Sequence, residues 1–476
     1  MTGFSVRRGR RAGEGRQRLH GIAVVVAVAT LSCATVLAMN RQAARTGGPP
    51  PGERPRNVVL LIGDGMGDSE ITIARNYSVG AAGRLAMDSL PMTGAYTTYA
   101  LQEAAPDKIE YVTDSAASGT GWATGHKTSN GRIATSAGST DVAPLATILE
   151  LAQRAGYRTG DVTTAELTDA TPAVLASHVN SRTCQGPADM ASCDAYRKEH
   201  GGPGSIAEQQ IDHHVDVLLG GGRSRFAQRI TGGPHTGLMV LDSARQQGYA
   251  IVSNAAALKQ SPPGRRLLGL FNDGNMTLEW GGAAAAAFPG SGPQSCVEHR
   301  RELTGEPSLA EMTARALDLL GARFFLQVEG ASIDKQDHEA SPCQQIGETV
   351  AFDRAVKVAL DFARTHPETL VIVTADHAHT SQIVPVPQPG DKVRPGLFST
   401  LLTKDGSLMT INYATRAGEI QDHTGAQVRI AAQGPMAERV LGVTDQTDLF
   451  RTMAAAMGID VKSQSSNPKA QIPSSR

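Results

Sequence analysis

Aromatic residues supply only 4% of the 476 residues. A core built from this chain must therefore rest on Ala, Val, Leu and Ile. Charge of neither sign dominates: 45 Lys+Arg against 46 Asp+Glu leave a net charge of -1. That balance lacks the basic surplus of a nucleic-acid binder. With 40% hydrophobic and only 19% charged residues, the composition also excludes a disordered chain. Cysteine is scarce, five in all, and no C-x-x-C pair exists, which argues against a cysteine-built zinc site. No internal repeat appears. What the chain does have is glycine, 51 residues, and proline, 25, which imply many turns. Its length suits two to four domains, unless one large α/β sheet absorbs most of it.

The N-terminus reads as a targeting segment. Arg7, Arg8, Arg10, Arg11, Arg16 and Arg18 form a basic run, and an uncharged stretch follows from Gly21 to Met39. A basic run before an apolar one is an export signal, with small residues for cleavage near Val36-Leu37-Ala38. An uncleaved membrane anchor is the alternative for residues 1–39, since the stretch is just long enough to span a bilayer. Lipidation at Cys33 fits its preceding residues poorly, and the arginine pairs hint only weakly at the twin-arginine route. Each reading sends the body of the protein out of the cytoplasm, to a periplasmic or extracellular place. Cys184, Cys193, Cys296 and Cys343 then suggest two disulfides, with three connectivities open. Proximity favours Cys184–Cys193, which leaves Cys296–Cys343.

Residues 40–56 read as a Pro/Gly/Arg-rich linker and residues 461–476 as a disordered polar tail. Between them, apolar runs of strand length recur: Asn57–Ile62, Val215–Leu219, Phe324–Val328 and Thr369–Thr374. Helical patterns occupy Ala143–Ala155, Leu309–Leu320 and Ile346–Ala363, and Val384–Pro395 reads as a loop. Strands alternating with helices predict an α/β fold, a large and mostly parallel sheet with helices on both faces. Ligands of such sheets sit at the carboxyl ends of the strands. Asp64, Glu329, Asp376 and His377 all fall there.

Gly63-Asp64-Gly65-Met66-Gly67 lacks the G-x-G-x-x-G spacing of a dinucleotide loop, and its Asp would repel a pyrophosphate. A carboxylate in a glycine turn suits a metal ion, or simply caps its own turn. Asp334 and His338 stand four apart, so one helical turn puts them on one face, within reach of one cation. Asp376-His377-Ala378-His379 follows a buried strand, where a metal explains the cluster better than solvent exposure does. His423 alone, in a loop, carries little. Ser115, in Thr113-Asp114-Ser115, falls near a helix N-terminus that favours an anion; an ordinary cap is the plain alternative. Gly125-His126-Lys127-Thr128 is no phosphate-binding loop, because His126 takes the lysine's place.

Seven separated segments, in this order, closely resemble the bacterial alkaline phosphatases: GDGMG, VTDSAASGT, ELTDATPA, HVNSR, VEGASIDKQDH, VTADHAH and DHTG. The resemblance runs from Arg56 to about Met457 and implies a catalytic domain over 57–460. It implies one zinc held by Asp64, Asp376 and His377, a second by Asp334, His338 and His423, and a magnesium by Asp64, Thr171 and Glu329. Ser115 is the implied nucleophile, which becomes phosphoserine, and Arg182 the bidentate clamp on phosphate. Asp114, Asp169 and Lys335 would bind substrate or support the metals; the Asp169/Lys335 pair matches the subtype that uses magnesium in the third site. His379 and His178 would only support. The four cysteines fit the family's two disulfides. The resemblance further implies small phosphomonoester substrates, inorganic phosphate as product, and a homodimer.

Two other readings are weaker. A phosphodiesterase or sulfatase would not need Arg182 and the magnesium triad, and a non-catalytic zinc-binding surface protein would not need a hydroxyl between two metals. The ligand set predicts that chelation abolishes phosphomonoesterase activity and that zinc with magnesium restores it. Full activity in a sample shown by elemental analysis to be metal-free would refute it.

Overall fold

The computed structural model describes residues 57–139, 144–299, 303–418 and 420–461. The expectations for residues 1–39 and 40–56, and for the tail beyond Val461, lie outside the described residues. No helix among those described is long and apolar enough to cross a membrane.

Ten strands form one sheet: β1 (Asn57–Gly63), β2 (Met92–Thr97), β3 (Arg158–Glu166), β4 (Val217–Gly221), β5 (Tyr249–Val252), β6 (Arg266–Leu270), β7 (Phe324–Gly330), β8 (Thr369–Ala375), β9 (Val428–Gln433) and β10 (Gly442–Asp445). Their spatial order is β10-β2-β9-β8-β1-β7-β3-β4-β6-β5. All neighbouring pairs are parallel except those made by β9, which runs against β8 and β2. The centre is apolar because it is covered on both faces: every residue of β1, β7 and β8 is buried. Gly63 lies level with Gly330 on one side and Ala375 on the other. The three strands therefore end flush, and the residues that follow them emerge side by side.

Helices α1 (Asp68–Ser78), α2 (Ser115–Thr124), α3 (Ile148–Arg154), α4 (Ala170–Ala176), α5 (Ile206–Asp212), α6 (Leu309–Leu320), α7 (Ser332–His338), α8 (Pro342–Thr365) and α9 (Gln446–Met457) accompany the sheet. Helix α2 is buried along its whole length. Its small residues allow this: a Cβ on Gly119 would stand 2.9 Å from Val174 of α4, and one on Gly121 would stand 2.7 Å from Gln446 of α9. A five-stranded sheet lies apart from the main one, with Gln382–Val384, Leu397–Leu402 and Leu408–Tyr413 at its heart. Leu401, Met409, Ile411 and Tyr413 share a small core with Ile73 and Ala74 of α1 and Ile346 of α8.

The expected α/β architecture is present, with local corrections. The strand expected at Val215–Leu219 runs Val217–Gly221. The helix expected at Ala143–Ala155 is Ile148–Arg154; Thr147 caps it by accepting from the Glu150 N–H while Glu150 accepts from Thr147, and Ala143 lies outside the described residues. The helix expected at Ile346–Ala363 starts earlier, at Pro342, where a missing N–H costs nothing. Strand β3 has no apolar run, yet seven of its nine residues are buried. Its threonines bond to the site: Thr163 donates to Glu329, and Thr164 accepts from the Ala331 N–H. Both disulfides, Cys184–Cys193 and Cys296–Cys343, pair as expected.

Candidate active site

Asp64 enters from the turn after β1, its N–H bonded to the Gly330 carbonyl. The turn needs Gly65, whose φ is +66° and whose space is filled by Asp334: a Cβ there would stand 3.0 Å from the Asp334 Cβ. The Gly65 and His377 N–H groups both donate to Asp376 Oδ1, each at 2.9 Å. This fixes Asp376 and aims its other oxygen, buried and without a donor, into the site. His377 Nε2 lies 3.2 Å from Asp376 Oδ2 and 3.5 Å from Asp64 Oδ1. Asp64, Asp376 and His377 thus bring three ligand atoms together.

A second group converges beside them. Asp334 and His338 share a face of α7, 3.5 Å apart, and His423 Nε2 reaches Asp334 Oδ1 at 3.1 Å. His423 Nδ1 donates to the Thr113 carbonyl, and His338 Nδ1 to that of Gln421. In the neutral rings their Nε2 atoms carry lone pairs, which face each other at 3.0 Å. Two lone pairs at that distance are mutually repulsive; a proton on His423, which Asp334 favours, or a metal ion between the rings and Asp334 relieves this. His379 also borders this group. Its Nδ1 accepts from the Thr380 N–H, so its Nε2 carries the hydrogen, 3.4 Å from Asp334 Oδ1. In this neutral tautomer His379 has no lone pair left to offer a metal.

The electrostatics follow from burial. Burial, with Asp334, Asp376 and Glu329 close by, holds the Asp64 carboxyl well above the ordinary range. Burial raises Asp376 too, and pushes Glu329 up to about 7. Asp334 is the exception: burial would raise it, but His379 and His423 hold it well below. His423 is in turn pushed up to about 9, Asp334 overcoming burial. Carboxylates packed this way call for divalent cations, and the donor types fit: carboxylate and imidazole in both clusters. Beside Glu329, the buried Thr171 hydroxyl and Asp64 complete an all-oxygen group that suits magnesium.

Ser115, first residue of α2 and almost fully buried, places its Oγ 3.4 Å from Asp64 Oδ1 and 3.3 Å from His377 Nε2. Asp114 caps α2 by accepting from the Ala117 N–H and, with its other oxygen, takes the Gly131 N–H. Arg182 bonds to Asp114 at 3.2 Å and Asp169 at 2.8 Å; Lys335 bonds to the other Asp169 oxygen at 2.7 Å. Burial would raise the Asp169 carboxyl, but Lys335 and Arg182 hold it well below its usual range. The nucleophile, phosphate-clamp and metal-ligand candidates expected from the sequence fall within this one region; His178, expected to support it, belongs instead to a separate group with Glu150 and His213. Thr163, Thr113 and Gln421 were not anticipated. Two of the three act through backbone carbonyls, which leave no mark on residue type.

Imidazoles and carboxylates converging on a buried serine, at the carboxyl ends of parallel strands, define a metal-dependent hydrolase. Comparison with known proteins makes the class particular. The family model described as Alkaline phosphatase matches residues 55–422 and 418–459. A streptomycin-6-phosphate phosphatase of Streptomyces griseus is 52% identical over 444 residues, 90% of this chain and 97% of its own. An alkaline phosphatase of Escherichia coli (strain K12) is 51% identical over 415 residues, 85% of this chain and 86% of its own. Among solved structures, the alkaline phosphatase of the Antarctic bacterium TAB5 superposes with a TM-score of 0.65 at 23% identity, covering 85% of this chain and 99% of its own. That of Thermus thermophilus gives 0.64 at 24%, covering 87% and 93%. The chain belongs to the alkaline phosphatase family and is a phosphomonoesterase.

Replacing Gly65 by Ala should cost about 1–2 kcal/mol through its left-handed backbone and displace Asp334. Zinc retained after dialysis should fall by roughly 10–100-fold in affinity. Unchanged zinc retention, with an unchanged denaturation midpoint, would show that the turn does not shape the site.

Proposed function

We propose that Ser115 is the nucleophile, that Asp64, Asp376, His377 and Asp334, His338, His423 each hold a zinc ion, and that Asp64, Thr171 and Glu329 hold magnesium. The observation that carries this reading is the place of Ser115 Oγ, beside Asp64 and His377 at the mouth of a helix N-terminus. When bound, divalent ions there supply Lewis acidity, easing loss of the serine proton and departure of the leaving alkoxide.

Ser115 Oγ attacks phosphorus as the ester oxygen leaves, giving phosphoserine and the free alcohol. Water then attacks phosphoserine, releasing inorganic phosphate and restoring the hydroxyl. Arg182 grips two phosphate oxygens with its planar fork, and Asp114 and Asp169 hold that fork in place beforehand. Lys335 stands on the far side of Asp169, next to Asp334, and adds positive charge towards the bound phosphate. These groups address the phosphoryl moiety rather than the alcohol, which supports a broad range of monoesters. Streptomycin 6-phosphate, the substrate named for one relative, is itself a phosphate monoester. Export is supported by the basic and apolar N-terminus and by the two disulfides. The homodimer rests on the family resemblance.

Replacing Ser115 by Ala should abolish trapped phosphoenzyme and lower turnover at least about 100-fold, leaving a residue of direct hydrolysis. Labelled phosphate recovered on another residue would overturn the assignment. Asp169→His should supply an imidazole near the third group and shift its preference from magnesium towards zinc. Lys335→Ala should weaken inhibition by inorganic phosphate by roughly 10–100-fold. If elemental analysis and phosphate inhibition leave both variants like the parent, the two residues are bystanders.

A further inference from the structure

A third set of ligand-type side chains lies outside these clusters, where α3, the loop after α4 and the end of α5 meet. Glu150 of α3, His178 and His213 bring one ligand atom each within 4.8 Å of one another. His178 Nε2 stands 2.9 Å from Glu150 Oε1, and His213 Nδ1 stands 3.5 Å from the same oxygen. The other Glu150 oxygen is occupied by the Thr147 N–H.

The tautomers follow from the remaining contacts. His178 Nδ1 lies 3.1 Å from the Ala134 carbonyl and must carry a hydrogen. In the neutral ring its Nε2 is then a lone pair, turned towards a carboxylate oxygen. Burial would raise Glu150, but His178 and the Thr147 N–H hold it below its usual range, so that oxygen is anionic. Burial holds His213 below the ordinary histidine value, although Glu150 and Asp212 oppose it and His178 and His214 reinforce it. His213 thus offers a lone pair near neutral pH. A proton on His178 would satisfy one of the two contacts to Glu150 Oε1. It leaves His213 at 3.5 Å, long for a hydrogen bond. Both spacings bracket the edge of about 3.3 Å that joins two ligands of a tetrahedral zinc.

We propose that Glu150, His178 and His213 form a further divalent-metal site, of zinc type, separate from the phosphate-handling metals. Two imidazoles and a carboxylate are a recurrent zinc set, and a fourth position is left for water. His178 is almost fully buried and its Nδ1 contact fixes the ring. The His213 side chain is 26% exposed, which gives the ion a way in. The site would tie α3, the loop after α4 and the end of α5 together through side chains alone.

The test compares the holoenzyme with His213→Ala and His213→Gln, all dialysed against the same free zinc. Elemental analysis should find about one zinc per chain fewer in both variants, with phosphomonoesterase activity equal to the parent's. In the parent alone, zinc should suppress acylation of His213 by diethyl pyrocarbonate, read by peptide mass spectrometry. Equal zinc content in folded variants, or acylation indifferent to zinc, would mean that a proton holds the Glu150–His178 pair and that no metal binds.

Discussion

Four carboxylates, Asp64, Glu329, Asp334 and Asp376, are buried together at the flush ends of three parallel strands, and the rest of the structure answers to that fact. Like charges so close, out of water, are strongly unfavourable without compensation. The compensation takes two forms. Fixed cations, Lys335 and Arg182, stand on one side around Asp169. Imidazoles stand on the other, the Nε2 atoms of His338 and His423 turned towards Asp334 and each other. The site concentrates negative charge beside imidazoles, a donor set that suits divalent cations.

The scaffold explains how such a site is held. Backbone groups fix both kinds of side chain: two N–H groups hold the Asp376 carboxylate, and carbonyls stand behind the His338 and His423 rings. Such partners fix ring tautomers and carboxylate angles, which sets metal affinity. Small residues let α2 run through the core beside β8, where Ser118 Oγ donates to the Asp376 carbonyl. Ser115, the proposed nucleophile, and the carboxylate that follows β8 are therefore positioned by one helix.

Much of this was legible in the sequence for a physical reason. A metal site concentrates rare residue types at strand ends, and Asp376-His377 after a fully apolar run is such a concentration. The i, i+4 pair Asp334/His338 survived as drawn because α7 forms there. Strand β3 was not legible, because Thr and Asp replace the apolar run that marks a buried strand; its hydroxyls serve Glu329 and the backbone instead. The small sheet was missed because three of its five strands are only two to four residues long and its edge is Pro-rich. Nor could residue types show that Thr113 and Gln421 contribute carbonyls, or that His379 would join the second cluster as a donor.

The most direct measurement is anomalous diffraction at the zinc edge from crystals grown with zinc and magnesium. The account predicts one strong peak among Asp64, Asp376 and His377 and another among Asp334, His338 and His423, with lighter, non-anomalous density beside Thr171 and Glu329. Ordered side chains with no anomalous peak between His338 and His423, or a peak ligated by His379 Nε2 in their place, would contradict it.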